Sequence, residues 1–346
     1  MRLLYILSHY NQHESATGFM VNWVETSKKY FQSVKILCLY KDESINDENI
    51  ICFKGQNSLH TLIKLNQYLI KYKDEYDVIF TQMSATFPIA SILPKFIYSK
   101  KIFMWWSHAH LNNQLKLAHF LVDGIFTASQ GSFPINSPKV HIIGHGIPTY
   151  DFFKKYTKKN TLSIISIGRI TEVKNYLPLI KAIKKLENLN IRVLLYGGTH
   201  SLKDETYKNM LKDKINALGL NQVISFEGEI PNSQILKHLE QNDVFINTQY
   251  EGGVGKAVLE SMMIGIPAIV ASPSYYVDNI SHLAHNFVFE KDNIDDLANK
   301  IKSFYELDLS AKIEVSTQVQ NFVRTKYSLD FLWSKIFTII KKVSHQ

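Results

Sequence analysis

Cysteine is nearly absent from this chain: 346 residues hold two, Cys38 and Cys52. Two thiols cannot staple a chain of this size, and neither lies in a C-x-x-C or zinc-ligand spacing, so a disulfide scaffold and a structural zinc site are excluded. Both sit in apolar, strand-like stretches, which predicts buried thiols in a reducing compartment, with one disulfide as the alternative. Long apolar runs are lacking too. The apolar start Leu3–Leu7 turns polar at Ser8-His9-Tyr10-Asn11, below the roughly 7–15 residues of a signal-peptide core, and reads as a buried first strand. The longest apolar region, Val78–Tyr98, is interrupted by Pro88, Pro94 and Lys95, whereas a spanning helix needs about 20 predominantly apolar residues. No transmembrane helix is expected, and the location expected is cytoplasmic, at the inner face of a membrane if it touches one. There is no low-complexity tract and no short repeat. No G-x-G-x-x-G follows the first strand, where the nearest glycine is Gly18, which argues against a dinucleotide-dependent oxidoreductase. No D-x-D occurs anywhere, so a metal-chelating carboxylate pair of that type is absent. No module of interleaved aromatic and basic residues appears, so nucleic acid is not an expected partner.

What is present is an alternation. Hydrophobic residues make up 45% and charged residues 20% of the chain, ordinary for a globular protein with room for two cores. Short apolar β-type runs occur at Leu3–Leu7, Val34–Leu39, Val78–Thr81, Ile102–Trp106, Gly124–Ala128 and Val140–Ile143. Amphipathic stretches such as Phe19–Phe31 and Leu59–Lys73 lie between them. The pattern restarts at Leu162–Ile167 and continues through Arg192–Tyr196, Val223–Phe226, Val244–Asn247 and Ala268–Ala271. Continuous apolar strands alternating with helices predict parallel sheets covered on both faces. The expected class is therefore α/β, with two Rossmann-like doubly wound domains. Their boundaries are placed at 1–150 and 151–327. A last amphipathic helix over 328–346 is capped by Ser328 and expected to pack back toward the first domain. Ligands in such folds bind beyond the carboxyl ends of the strands, so residues just after strands matter most.

Two clusters occupy such positions. After Leu162–Ile167 come Gly168-Arg169-Ile170-Thr171-Glu172-Val173-Lys174-Asn175. Gly168 lets the chain turn out of the sheet, and Arg169 and Lys174 can converge on an anion such as a diphosphate. The plain alternative is two surface cations in a chain of formal charge +8. After Val244–Asn247 come Tyr250-Glu251-Gly252-Gly253-Val254-Gly255-Lys256, then a helix carrying Glu260. A glycine loop feeding a helix N-terminus is an anion site, while Glu251 and Glu260 can accept hydrogen bonds from sugar hydroxyls. The plain alternative here is a Gly-rich turn with a solvated Glu.

These pieces resemble the family-4 (GT4) retaining glycosyltransferases of the GT-B fold. Ser166-Ile167-Gly168-Arg169 with Lys174-Asn175 is similar to that family's phosphate pair. Phe226-Glu227-Gly228-Glu229-Ile230-Pro231 is similar to its base-side segment. Glu251–Glu260 followed by Ser261-Met262-Met263-Ile264-Gly265-Ile266-Pro267 is similar to its sugar- and ribose-binding stretch. In the first half, Trp105-Trp106-Ser107-His108, Asp123–Ser129 and Gly144-His145-Gly146-Ile147-Pro148 match more loosely. The resemblance implies transfer of a sugar from a UDP- or GDP-linked donor, with retention and no obligatory metal. It implies that Arg169 and Lys174 neutralise the diphosphate and that Glu260 holds the ribose. Glu251 and the amides of Gly252, Gly253, Val254 and Gly255 would grip the sugar, and backbone near Ile230 would meet the base. His108, with His110 as second candidate, would reach the reacting sugar. Two departures stand out: eight residues rather than seven separate Glu251 from Glu260, and Pro148 replaces the usual Asp of the hinge. A nucleotide-sugar epimerase on the same fold and a catalytically silent binding subunit remain alternatives. The acceptor class implied is a saccharide or lipid-linked saccharide, in surface polysaccharide or glycolipid synthesis. Basic charge with the aromatic-rich Phe96–Trp106 region suggests peripheral contact with an anionic membrane, the alternative being that these aromatics form core.

Overall fold

A computed structural model gives the structure of residues 1–14, 17–250, 255–271 and 287–345. The chain divides into two compact units, Met1–Pro148 with Ser328–Gln346, and Thr149–Tyr327.

The first unit holds strands β1 (Arg2–Tyr10), β2 (Ser33–Lys41), β3 (Ile50–Cys52), β4 (Val78–Gln82), β5 (Lys101–Trp105), β6 (Gly124–Thr127) and β7 (Val140–Ile142). They pair in parallel in the order β3-β2-β1-β4-β5-β6-β7. Strand side chains alternate between faces, and β1 shows the consequence. Leu3, Tyr5 and Leu7 enter one core with Trp333 and Ile336 of the last helix. Leu4 and Ile6 enter the other with Leu65, Leu69, Leu115 and Ala118 of the opposite helical layer. Both faces are thus covered, which is why β1 reads as one unbroken apolar run. The last helix, Leu329–Ser344, starts at Ser328, whose hydroxyl accepts the Phe331 N–H. It seats Trp333 against Tyr5, Phe31 and Phe80.

The second unit holds β8 (Leu162–Ile167), β9 (Ile191–Tyr196), β10 (Ile224–Gly228), β11 (Val244–Asn247) and β12 (Ala268–Val270), parallel and ordered β10-β9-β8-β11-β12. Chain direction across this sheet reverses between β8 and β11. The crevice beyond their carboxyl ends is the place where doubly wound sheets take ligands. The helix Lys256–Met263 has Gly255 as its N-cap. It ends at Gly265, whose φ of +85° suits a residue without Cβ.

The doubly wound α/β expectation holds, with three local differences. The sequence pattern shows a strand-like stretch at Cys52 but gives β3 no bounds, because a three-residue edge strand is too short to show a period. The apolar region Val78–Tyr98 divides into β4 and two short helices, Thr86–Ala90 and Ile92–Ile97. Among the described residues no helix is long and apolar enough to cross a membrane. Finally, of the two cysteines only Cys38 is buried; Cys52 is exposed. Cys38 lies on β2, inside the sheet, where burial pushes its thiol up to about 12. Cys52 lies on the edge strand β3, which pairs on its outer side with no strand among the described residues, and its thiol donates to the Leu39 carbonyl at 2.8 Å.

Candidate donor site

The carboxyl ends of β8, β9 and β10 come together through glycine. Gly168 N–H donates to the Tyr196 carbonyl at 2.9 Å, Gly197 N–H to the Gly228 carbonyl at 2.7 Å and Ile170 N–H to the Gly198 carbonyl at 2.9 Å. Gly168 and Gly197 hold φ of +153° and +151°, where a side chain is strained. A Cβ on Gly197 would lie 1.9 Å from the Gly168 carbonyl oxygen. The backbones therefore approach as closely as they do because Gly197 lacks a side chain. A Cβ on Gly168 would meet Lys174 Cε at 2.7 Å and Nζ at 3.0 Å. The Lys174 stem thus lies directly across the glycine.

Lys174 ends a short 3-10 turn, Glu172–Lys174, and Asn175 follows it in the left-handed region at φ +49°. The Thr248 hydroxyl, at the end of β11, donates to the Lys174 carbonyl at 2.6 Å. This bond ties the turn to the point where the strand order reverses. Lys174 is half-buried and Arg169 exposed. Burial, and then the neighbouring Arg169 charge, push the Lys174 ammonium below its usual range. Among the described residues neither cation forms an ion pair with a carboxylate. Arg169 and Lys174 line a cleft of about 460 Å³ with Thr171, His200, Asp204 and Gln249. Burial pushes the Asp204 carboxyl up, but the Ser201 hydroxyl, the His200 N–H and the Arg169 charge outweigh it, and the group stays ionised more readily than usual.

Glu260 lies in the helix Lys256–Met263 and is buried, at 6% exposure. It pairs with Lys256 one turn earlier at 3.2 Å. Burial pushes the Lys256 ammonium down, against the Glu260 charge that raises it. Burial, and then Glu260, push the Tyr150 phenol up. Ile230 follows β10 and is partly buried. Beside it, Glu229 lies 3.4 Å from His200 and fills the space a Cβ on Gly198 would need. Glu251, Gly252, Gly253 and Val254 lie outside the described residues.

His108 is in the first unit, exposed in the segment after β5. Its carbonyl accepts the Trp106 indole N–H at 2.8 Å, and its Nδ1 accepts the His110 N–H at 3.0 Å. The structure thus brings Gly168, Arg169 and Lys174 together around one cleft, and leaves Glu260 held by Lys256 in the same unit. Four residues of this site escape the sequence reading. Thr248 was legible only by its place after a strand. Tyr150 and His200 carry no local signal, since their partners Glu260 and Glu229 are distant in sequence. Lys256 does carry one, the i,i+4 spacing to Glu260.

Comparison with known proteins bears on the fold and the family. Residues 149–319 match the family model described as glycosyl transferases group 1. An uncharacterized glycosyltransferase of Methanocaldococcus jannaschii is 26% identical over 188 residues, 54% of this chain and 45% of that protein. The human GDP-Man:Man(3)GlcNAc(2)-PP-Dol alpha-1,2-mannosyltransferase is 24% identical over 204 residues, 54% of this chain and 40% of that protein. The matched stretch thus spans less than half of each of these two relatives. Among solved structures, HepE of Anabaena in complex with UDP has a TM-score of 0.74 at 15% identity, covering 99% of this chain and 100% of that one. Residues 149–319 thus resemble the glycosyl transferases group 1 family, and the two units have the parallel-sheet α/β architecture of GT-B glycosyltransferases.

Proposed function

We propose that the protein transfers a hexosyl group from a UDP- or GDP-linked donor to a saccharide or lipid-linked acceptor, with retention at the anomeric carbon. The setting proposed is surface polysaccharide or glycolipid synthesis at the inner face of a membrane. One observation carries the reading: Arg169 and Lys174, neither in an ion pair among the described residues, share a cleft at the carboxyl end of β8. A diphosphate is the group such a pair fits, because it brings negative charge to two cations that no described carboxylate pairs, and accepts both forked and point-charge donors. As the sugar–phosphate bond breaks, charge grows on the leaving diphosphate, and the same cations stabilise it. They take the part that a divalent metal plays elsewhere, so the donor is expected to bind without magnesium. Glu260 is assigned to the ribose hydroxyls. Glu251 and the Gly252–Gly255 amides are assigned to the sugar, Ile230 backbone to the base, and His108 to a sugar hydroxyl. The structural neighbour HepE has been seen with UDP and with UDP and glucose, and the human relative is named for GDP-mannose. Both bases therefore belong in the first screen.

Thermal unfolding against UDP, GDP, ADP, CMP and their sugar conjugates tests the reading. A ligand present at about 100 times its dissociation constant adds roughly 2.7 kcal/mol. One diphosphate class is expected to raise the melting temperature in the wild type and not in the Arg169→Ala, Lys174→Ala double variant. No shift in the wild type, with or without magnesium, would leave the binding-subunit alternative standing instead. Turnover of the donor without any acceptor would favour the epimerase.

A further inference from the structure

One helical layer of the first unit is not dressed as a water-facing surface. The helices Ser58–Lys71, Thr86–Ala90, Ile92–Ile97 and Asn113–Leu121 together carry Lys64, Lys71, Lys95 and Lys116 and not one Asp or Glu. Nine of the nineteen large apolar side chains exposed among the described residues stand on these four short helices. The most prominent are Phe120 at 72%, Leu59 at 68%, Phe96 at 65% and Ile97 at 62% exposure. The same helices already fill their core face with Leu65, Leu69, Phe87, Leu115 and Ala118. The exposed set is therefore a second apolar face, in excess of what the fold uses. Lys95 reaches Asp123 at 2.6 Å, which ties the helix Ile92–Ile97 to the chain just after Asn113–Leu121. Leu62, Ile89 and Leu93 line an apolar groove that continues the face. The carboxylates at the neighbouring strand starts are each neutralised: Asp74 by Lys73, Glu75 by Lys35, Asp77 by Arg2 and Asp123 by Lys95.

We propose that this face docks on an anionic lipid bilayer, with Phe96, Ile97 and Phe120 entering the headgroup–acyl boundary and the lysines meeting the lipid charge. Aromatic and aliphatic side chains supply the apolar insertion, and lysines whose neighbourhood holds no free carboxylate supply attraction that acts over about a Debye length. A second copy of this face would set lysine against lysine, because the helices offer only one sign of charge. Because the helices cover a face of the sheet, docking leaves the carboxyl ends of β1, β4 and β5 uncovered. The proposal rests on the membrane-side setting proposed above but not on donor binding, and the two are read by different measurements.

Co-sedimentation of the full chain with vesicles tests it. Vesicles of equal phosphatidylglycerol and phosphatidylcholine are compared with phosphatidylcholine alone, at low and at high salt. Wild-type protein is expected to bind the anionic vesicles at least tenfold more tightly, and high salt is expected to weaken that binding. The variant Phe96→Ser, Phe120→Ser is expected to lose at least tenfold while keeping its melting temperature and its response to nucleotide. Both side chains are mostly exposed, so folding does not depend on them. Failure of the wild type to sediment, or equal sedimentation of the variant, overturns the proposal without touching the donor reading. So does a concentration-dependent dimer in sedimentation velocity that the same variant abolishes, which would assign the face to a second copy.

Discussion

Lys174→Met is expected to raise the melting temperature of the unliganded protein and at the same time to abolish its response to nucleoside diphosphate. The two effects have one origin. Methionine keeps an unbranched stem that can lie across Gly168 as the lysine stem does. What it removes is an ammonium that burial and Arg169 both disfavour, and that no carboxylate among the described residues pairs. The linkage fixes the sign. A lysine whose folded pKa lies below its unfolded value binds fewer protons in the folded state, so it costs stability wherever it is charged in the fold. That cost fades as pH rises from the folded pKa toward the ordinary lysine value of 10.5. Below the folded pKa the full cost is present, and a gain on the order of 1 kcal/mol shifts the transition of a domain this size by about 2–4 °C. With the donor bound the balance reverses, because the diphosphate brings Lys174 the counter-charge that no described carboxylate pairs with it. Loss of one such group at a reacting centre is worth roughly 10²–10³ in rate, and that is the fall expected in transfer. Donor affinity of the wild type should weaken as pH rises through the Lys174 pKa. Scanning calorimetry without nucleotide at pH 7 and at pH 10 checks the stability half. A lower melting temperature for the variant at pH 7 would show that Lys174 serves the fold rather than the ligand.

That opposition between stability and binding also explains which parts of the molecule the sequence disclosed. β8 and β11 are legible to the residue, because strands buried on both faces must be apolar throughout and short. Arg169 and Lys174 are legible because a doubly wound sheet puts whatever follows such strands at the ligand crevice. Local rules say nothing of what a residue meets across the fold. The Thr248 hydroxyl under the Lys174 turn, Tyr150 against Glu260 and Glu229 beside Gly198 arise from tertiary packing. The bounds of the edge strand β3 and the exposure of Cys52 escape the sequence for a related reason. Apolar composition predicts burial only where a second element arrives to cover it, and nothing in Ile50–Cys52 says that none does. The uncovered helical layer reverses the case. Its lack of Asp and Glu is plain in the sequence, yet the meaning emerges only when four separated segments prove to share one face.

Gly197→Ala is expected to be the most damaging single methyl in the second unit, costing more than about 3 kcal/mol, in the range reserved for a named structural fault. The added Cβ would stand 1.9 Å from the Gly168 carbonyl oxygen and 2.7 Å from its carbon. Both are backbone atoms, so no rotamer change relieves the clash and β8 must part from β9. Parting them breaks the bonds Gly168 to Tyr196 and Ile170 to Gly198, which hold Arg169 at the cleft. Nucleotide response should therefore be lost even in the fraction that stays folded. Gly228→Ala is the control. Its φ is +80°, but a Cβ there meets nothing within 4 Å, so only the backbone penalty of about 1–2 kcal/mol applies. Urea unfolding of the two variants separates close approach from backbone conformation. Equal midpoint losses would mean that the strand ends yield to a methyl, and then the glycines at β8 and β9 do not set the position of the cations.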